Sequence, residues 1–147
     1  VWARLKLPAG AEHAAHLGVF LSPDGCNCAL DLEKDPLDAG TSVESLDQVH
    51  AFFRARRRDL LPAVGDPRPR VWTDDSNDLS VAGFLATDYD AFMADNGDPG
   101  HPWPKVGYRF EPGQLTEDSD PIGTLAVRID RLMPLYEALL DSCGASA

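Results

Sequence analysis

Hydrophobic and polar residues alternate from the start of the chain. Val1, Ala3, Leu5 and Leu7 are separated by Trp2, Arg4 and Lys6, the period-two pattern of a strand with one wet face, and Pro8 with Gly10 ends it. Two further runs, Leu17 to Ser22 and Cys26 to Glu33, flank Pro23-Asp24-Gly25. In that tripeptide Pro presets φ and Gly accepts positive φ, which predicts a hairpin. The period then changes. From about Val43 to Leu61 the apolar residues Leu46, Val49, Phe53 and Leu60 recur at helical spacing. Ser45 with Gln48, or Thr41 with Glu44, supplies a capping box at the start of this helix, and Pro62 ends it. Arg54, Arg56, Arg57 and Arg58 crowd its C-terminal half, where positive charge complements the helix dipole.

Beyond the Pro-rich passage Pro62 to Pro69, short strands are expected at Arg70 to Thr73 and Leu79 to Leu85. Thr87 is placed to cap a short helix over Asp88 to Asn96, with Gly97 as an αL stop. The three prolines of Asp98 to Pro104 exclude regular structure and predict a stiff loop. Strands at Lys105 to Phe110 and Gly123 to Ile129 would frame the acidic turn Glu117-Asp118-Ser119-Asp120. A final helix presents Leu132, Tyr136, Leu139, Leu140 and Cys143 on one face, with Pro134 in its first turn and Gly144 at its end. Strands and helices mingle without βαβ alternation. The expectation is one α+β domain over residues 1–147, with a mostly antiparallel sheet, a long helix in the first half, a short middle helix and a C-terminal helix.

Charge narrows the function classes. The chain has 147 residues, and 13 Lys and Arg against 24 Asp and Glu give a net charge of -11. That balance disfavours nucleic acid and anionic lipid and makes a basic protein surface the natural macromolecular partner. No apolar run approaches the roughly 20 residues of a membrane span. Residues Val1 to Leu7 lack a signal-peptide h-region, although a chain opening at Val rather than Met leaves room for residues upstream. Three cysteines, an odd number, do not form a disulfide framework, so a reducing cytoplasm is expected.

The most distinctive stretch lies between Val71 and Pro104. It holds Asp74, Asp75, Asp78, Asp88, Asp90, Asp95 and Asp98 without a lysine, arginine or glutamate, and Trp72 and Trp103 stand near its ends. Unpaired carboxylates this dense must face water, a cation or a basic partner, because burial would cost several kcal/mol each. His101 sits in the stiff loop beside Trp103, where contact residues concentrate.

Other chemistry is sparse. His13, His16, Cys26 and Cys28 offer four N and S donors of zinc-binding type within sixteen residues, which makes a zinc-binding enzyme or metal-stabilised domain an alternative reading. The oxygen-rich Asp74-Asp75-Ser76-Asn77-Asp78 lacks the glycine and distal glutamate of an EF-hand loop. No Gly-x-Ser-x-Gly, His-Glu-x-x-His, Gly-x-Gly-x-x-Gly or P-loop is present, so no catalytic residue and no cofactor is assigned. A further alternative is an accessory domain whose helix arginines grip an anionic metabolite.

In size, acidity and lack of catalytic motifs the chain resembles the small inhibitors, immunity or antitoxin-like proteins, that bacteria make against their own toxins. The resemblance is one of type. It implies a basic toxin enzyme as partner and transfers no residues. The expected function is therefore an acidic, non-enzymatic protein-binding module. Trp72 and Trp103 are its expected anchors, and Asp74, Asp75, Asp78, Asp88, Asp90, Asp95, Asp98 and His101 surround them.

Overall fold

The computed structural model describes residues 2–7, 13–61, 69–73 and 78–144. Among the described residues six strands, β1 (Trp2–Leu5), β2 (Ala15–Ser22), β3 (Gly25–Leu32), β4 (Arg70–Trp72), β5 (Leu79–Ser80) and β6 (Lys105–Phe110), form one sheet in the order β1-β2-β3-β6-β4-β5. Every pairing is antiparallel. With helices α1 (Lys34–Asp38), α2 (Leu46–Leu60), α3 (Val81–Ala86), α4 (Tyr89–Asn96), α5 (Pro112–Thr116) and α6 (Pro121–Ser142), the chain is an α+β protein. Among the described residues no helix is long and apolar enough to cross a membrane.

Local chemistry explains most of these elements. The hairpin turns through Pro23-Asp24, with Ser22 opposite Gly25. Gly25 holds φ +140, and a Cβ there would collide with the Phe110 carbonyl, so both conformation and contact demand glycine. At α2 the Ser45 hydroxyl accepts from Gln48 N while the Gln48 side chain accepts from Ser45 N, a complete capping box. Thr41 and Glu44 do not form the alternative box. Glu44 is buried and accepts from Ala15 N at 2.7 Å.

Five expectations are corrected. The strand expected over Leu79 to Leu85 stops at Ser80, whose hydroxyl accepts from Gly83 N and starts α3 instead. Asp88 rather than Thr87 caps the middle helix. Gly97 has φ -61, so it ends that helix without the αL conformation. The strand expected over Gly123 to Ile129 is the first part of α6, which Asp120 caps and Pro121 begins. Pro134 accordingly lies inside that 22-residue helix and not in its first turn. Over seven residues, Leu125, Val127 and Ile129 read as alternation. With Leu132, Leu135, Tyr136, Leu139 and Leu140 added, Leu125 and Ile129 belong to one helical stripe. Gly144, with φ +87, does end this helix as expected.

α6 lies across β2, β3 and β6. Leu17, Cys28, Leu30, Val71, Val106 and Tyr108 point to it and join Phe53, Phe84, Phe92 and Leu139 in one core. The alternate positions, His16, Gly18 and Phe20 on β2 and Asn27, Ala29 and Asp31 on β3, point to the other face. Gly107 of β6 belongs to that second face, and a Cβ there would meet Ala29 Cα at 2.6 Å and Ala29 Cβ at 2.7 Å besides the Cys28 carbonyl. Gly107→Ala should therefore force the central β3-β6 pair apart and destabilise the fold by about 1–3 kcal/mol. Equilibrium unfolding checks this, and an unchanged midpoint would show that the pair has slack.

Candidate functional site

The second face of the sheet carries the site. Its floor is Gly18 opposite Ala29, a pair of small residues between two larger cross-strand pairs, His16 with Asp31 and Phe20 with Asn27. One cleft of about 340 Å³ extends over Gly18 and Ala29 beneath α1 and His101. A second of about 340 Å³ runs toward Asp78, Arg109 and Glu111. Both are lined by Phe20 and Asn27, so the two make one trough. Along β3 it reaches from Asp31 to Gly25, about 20 Å at roughly 3.3 Å per residue.

Among the described residues six carboxylates and three basic side chains line the trough, and the cations at its edges, Lys6 at 3.2 Å from Glu33, Arg70 and Lys105, bring the two signs into balance. Arg4 binds Glu33 at 2.8 Å, and Asp78 receives Arg70 at 2.6 Å and Arg109 at 3.3 Å. Asp24, Asp35 and Glu111 then remain on an exposed rim with Lys34 as the opposing charge. Lys34 in turn lies 3.9 Å from Asp38.

His16 is built for one role. Its ring lies over the glycine floor, with Nε2 and Cδ2 each 3.3 Å from where a Gly18 Cβ would stand, and only 5% of the residue is exposed. Nδ1 is 3.1 Å from the Ala14 carbonyl, a contact that requires Nδ1 to carry the proton and leaves Nε2 as an acceptor. Burial pushes this imidazole below the ordinary histidine range, so it is neutral at neutral pH. Among the described residues Nε2 has no hydrogen-bond partner. Across the strand pair, Asp31 Oδ1 accepts from Trp103 Nε1 and Leu32 N, both at 2.8 Å. Its Oδ2 has Lys105 Nζ at 4.0 Å.

The residues singled out from the sequence are dispersed. Trp72 and Trp103 are 2% and 1% exposed, which corrects their placement as surface anchors. The physical reason is that each supports the trough from below. Trp72 lies under the Arg109 guanidinium, 5.2 Å from its ring centre, and Trp103 orients Asp31. Asp78 and His101 line the trough, with His101 tilted over Trp103 at 5.4 Å. Asp98 accepts from Gly100 N and lies 3.9 Å from His101. Asp90 and Asp95 belong to α4 and Asp88 caps it; the helix packs on α2 and α3, and all three acids are exposed. Asp90 is not uncompensated, because Arg54 binds it in bidentate fashion at 2.7 and 3.2 Å and holds its carboxyl below the usual range. Asp74 and Asp75 lie outside the described residues, as does most of the oxygen-rich run they begin.

Three of the four arginines in the run are engaged internally, and Arg58 is exposed. Besides Arg54, Arg57 is buried, donates to the Thr87 carbonyl at 3.1 Å and lies over the Phe84 and Tyr89 rings, while Arg56 pairs with Asp59. The four donors considered for zinc are likewise separated. His13 pairs with buried Glu44 at 3.2 Å, His16 faces the trough, and Cys26 and Cys28 point to the α6 side. Burial pushes the Cys28 thiol up to about 12 and raises that of Cys26 as well, the opposite of what a thiolate ligand requires. Among the described residues no group of three or more His, Cys, Asp or Glu side chains could hold a metal ion.

His16, Asn27 and Asp31 as partners on one surface were missed in the sequence, where His16 was weighed only as a metal ligand. The signal was present. Once Ser22 is paired with Gly25, the alternation places His16, Gly18, Phe20, Asn27, Ala29 and Asp31 on one face. The chain matches no known protein family model, no curated protein and no solved structure at a significant level.

Proposed function

We infer that the chain is a non-enzymatic protein-binding module for a basic partner, of the inhibitor type that bacteria direct against toxin enzymes. One observation carries this reading: a trough about 20 Å long on the second sheet face, whose exposed rim carries Asp24, Asp35 and Glu111 outside the ion pairs formed among the described residues, on a chain of net charge -11. Such a surface attracts a cationic protein from a distance, and association is accelerated at low ionic strength. The exposed acids Asp88, the cap of α4, and Asp95 on that helix strengthen the same field without lining the trough.

The test is kinetic. A partner captured from the native host should be basic, and its association rate constant should fall steeply, by about tenfold or more, as salt rises from low to physiological strength. Replacing Asp24, Asp35 and Glu111 together with their amides should slow association and flatten that dependence while leaving the unfolding midpoint unchanged. A captured partner of acidic surface, or an association rate indifferent to salt, would remove this reading.

A further inference from the structure

We propose that the His16 end of the trough is a pocket for one ammonium or guanidinium group, carried by a lysine or arginine side chain on an extended segment of the protein partner. The proposal rests on the reading of the chain as a binder of a basic protein and specifies how that protein is held.

The argument begins with acceptors. His16 Nε2 is a lone-pair acceptor on a side chain only 5% exposed, and it is fixed in that tautomer by the Ala14 carbonyl. Nε2 faces the trough from a side chain held in place by burial, so a bound N–H donor would find a preset acceptor there. Directly across the β2-β3 pair stands Asp31, whose Oδ1 is already occupied by Trp103 Nε1 and Leu32 N, while its Oδ2 has only a distant contact to Lys105. Cross-strand neighbours have their Cβ atoms about 5 Å apart, so one group bearing several N–H donors reaches both acceptors at once. Lysine and arginine supply such groups, three donors or five. The Asp31 carboxylate and the exposed Asp35 on the rim, on a chain of net charge -11, favour a cation over a neutral amide.

The extended form of the occupant follows from shape. The floor of Gly18 and Ala29 leaves space for a backbone to approach the sheet, and Phe20, 46% exposed, offers an apolar surface midway. A length of about 20 Å accommodates roughly six extended residues. Beyond Phe20 the trough ends at Asp24 and Glu111, a second acidic rim for a further cation of the same segment.

The probe is a fluorescein-labelled hexalysine peptide, followed by fluorescence anisotropy at low salt and neutral pH, with unfolding of every variant measured alongside. Wild type should bind it. Asp31→Asn, which keeps an oxygen for Trp103 Nε1 but turns an amide toward the pocket, should weaken binding about tenfold or more. His16→Phe should do the same, and His16→Gln, which restores an acceptor near the position of Nε2, should recover part of the loss. Lys34→Glu alters only an exposed rim residue and should strengthen binding about twofold or more, so the proposal stays testable even where the buried variants unfold. Unchanged affinity in Asp31→Asn and His16→Phe, with loss on Asp88→Asn and Asp95→Asn, would overturn the pocket and move the interface to α4 while the basic-partner reading stood. Failure of wild type to bind hexalysine would overturn the pocket, while the basic-partner reading would still be decided by the salt dependence of association with the captured partner. Displacement of the peptide by spermidine at equal concentration would overturn the peptide part, since a free polyamine would then satisfy the site.

Discussion

Replacing Trp103 with alanine should cost the fold about 3–5 kcal/mol, the range of cavity-forming Trp substitutions. Trp103 is 1% exposed and belongs to the core cluster, yet its indole N–H reaches Asp31 Oδ1 at 2.8 Å. Truncation would therefore do two things at once. It would open a large apolar void, and it would leave Asp31 Oδ1 with Leu32 N as its remaining partner. The loop around Trp103 would loosen too, because His101 rests on its ring. Chemical denaturation of the free variant is the measurement. A loss under about 1 kcal/mol would mean that the ring contributes no core packing and would restore Trp103 as a surface anchor. Trp103→Phe separates the two contributions: it keeps most of the packing, loses the Asp31 bond, and should fall between wild type and alanine.

Glu44→Ala should cost about 1–3 kcal/mol, because it leaves buried polar groups, the Ala15 N–H and the His13 ring, without the carboxylate that they face. Glu44 is 3% and His13 4% exposed. Oε1 accepts from Ala15 N at 2.7 Å, which ties the segment before α2 to the start of β2. Oε2 lies 3.2 Å from His13 Nδ1, within ion-pair range although without good hydrogen-bond geometry. Alanine would strand both a buried backbone N–H and a buried imidazole. Glu44→Gln retains an acceptor for Ala15 N and should recover part of the loss. A double-mutant cycle with His13→Ala should give a coupling of about 0.5–3 kcal/mol. If Glu44→Ala cost no more than an exposed acid substitution, the pair would have no part in holding the N-terminal strands to α2.

These two residues also mark where sequence reading stops. A local signal was sufficient wherever the cause lay within a few residues. Pro23-Asp24-Gly25 and the alternation on either side specified the first hairpin, Ser45 with Gln48 specified the start of α2, and the α+β class followed from strands and helices mingling without βαβ order. Local patterns misled where a segment was too short to separate period two from period 3.6. Gly123 to Ile129 read as a strand because only the later apolar residues of α6 establish the helical stripe, and Leu79 to Leu85 did so because the cap at Ser80 was unrecognised.

Composition determined the net charge of -11 and the acidic character of the surface, since charges are inherited from the sequence whatever the fold. Which charges remain available was decided only by the tertiary structure. Arg54 reaches Asp90 across 36 residues of sequence and Arg109 reaches Asp78 across 31, pairings that no local window contains. The same holds for Trp72 and Trp103, whose burial depends on strands and a loop brought over the sheet, and for Asp31 and Trp103, 72 residues apart and joined by one hydrogen bond. The dense aspartate segment was thus legible as a feature and not as a site. The trough exists because antiparallel pairing lines up His16 with Asp31, and Phe20 with Asn27, on the face that α6 leaves uncovered.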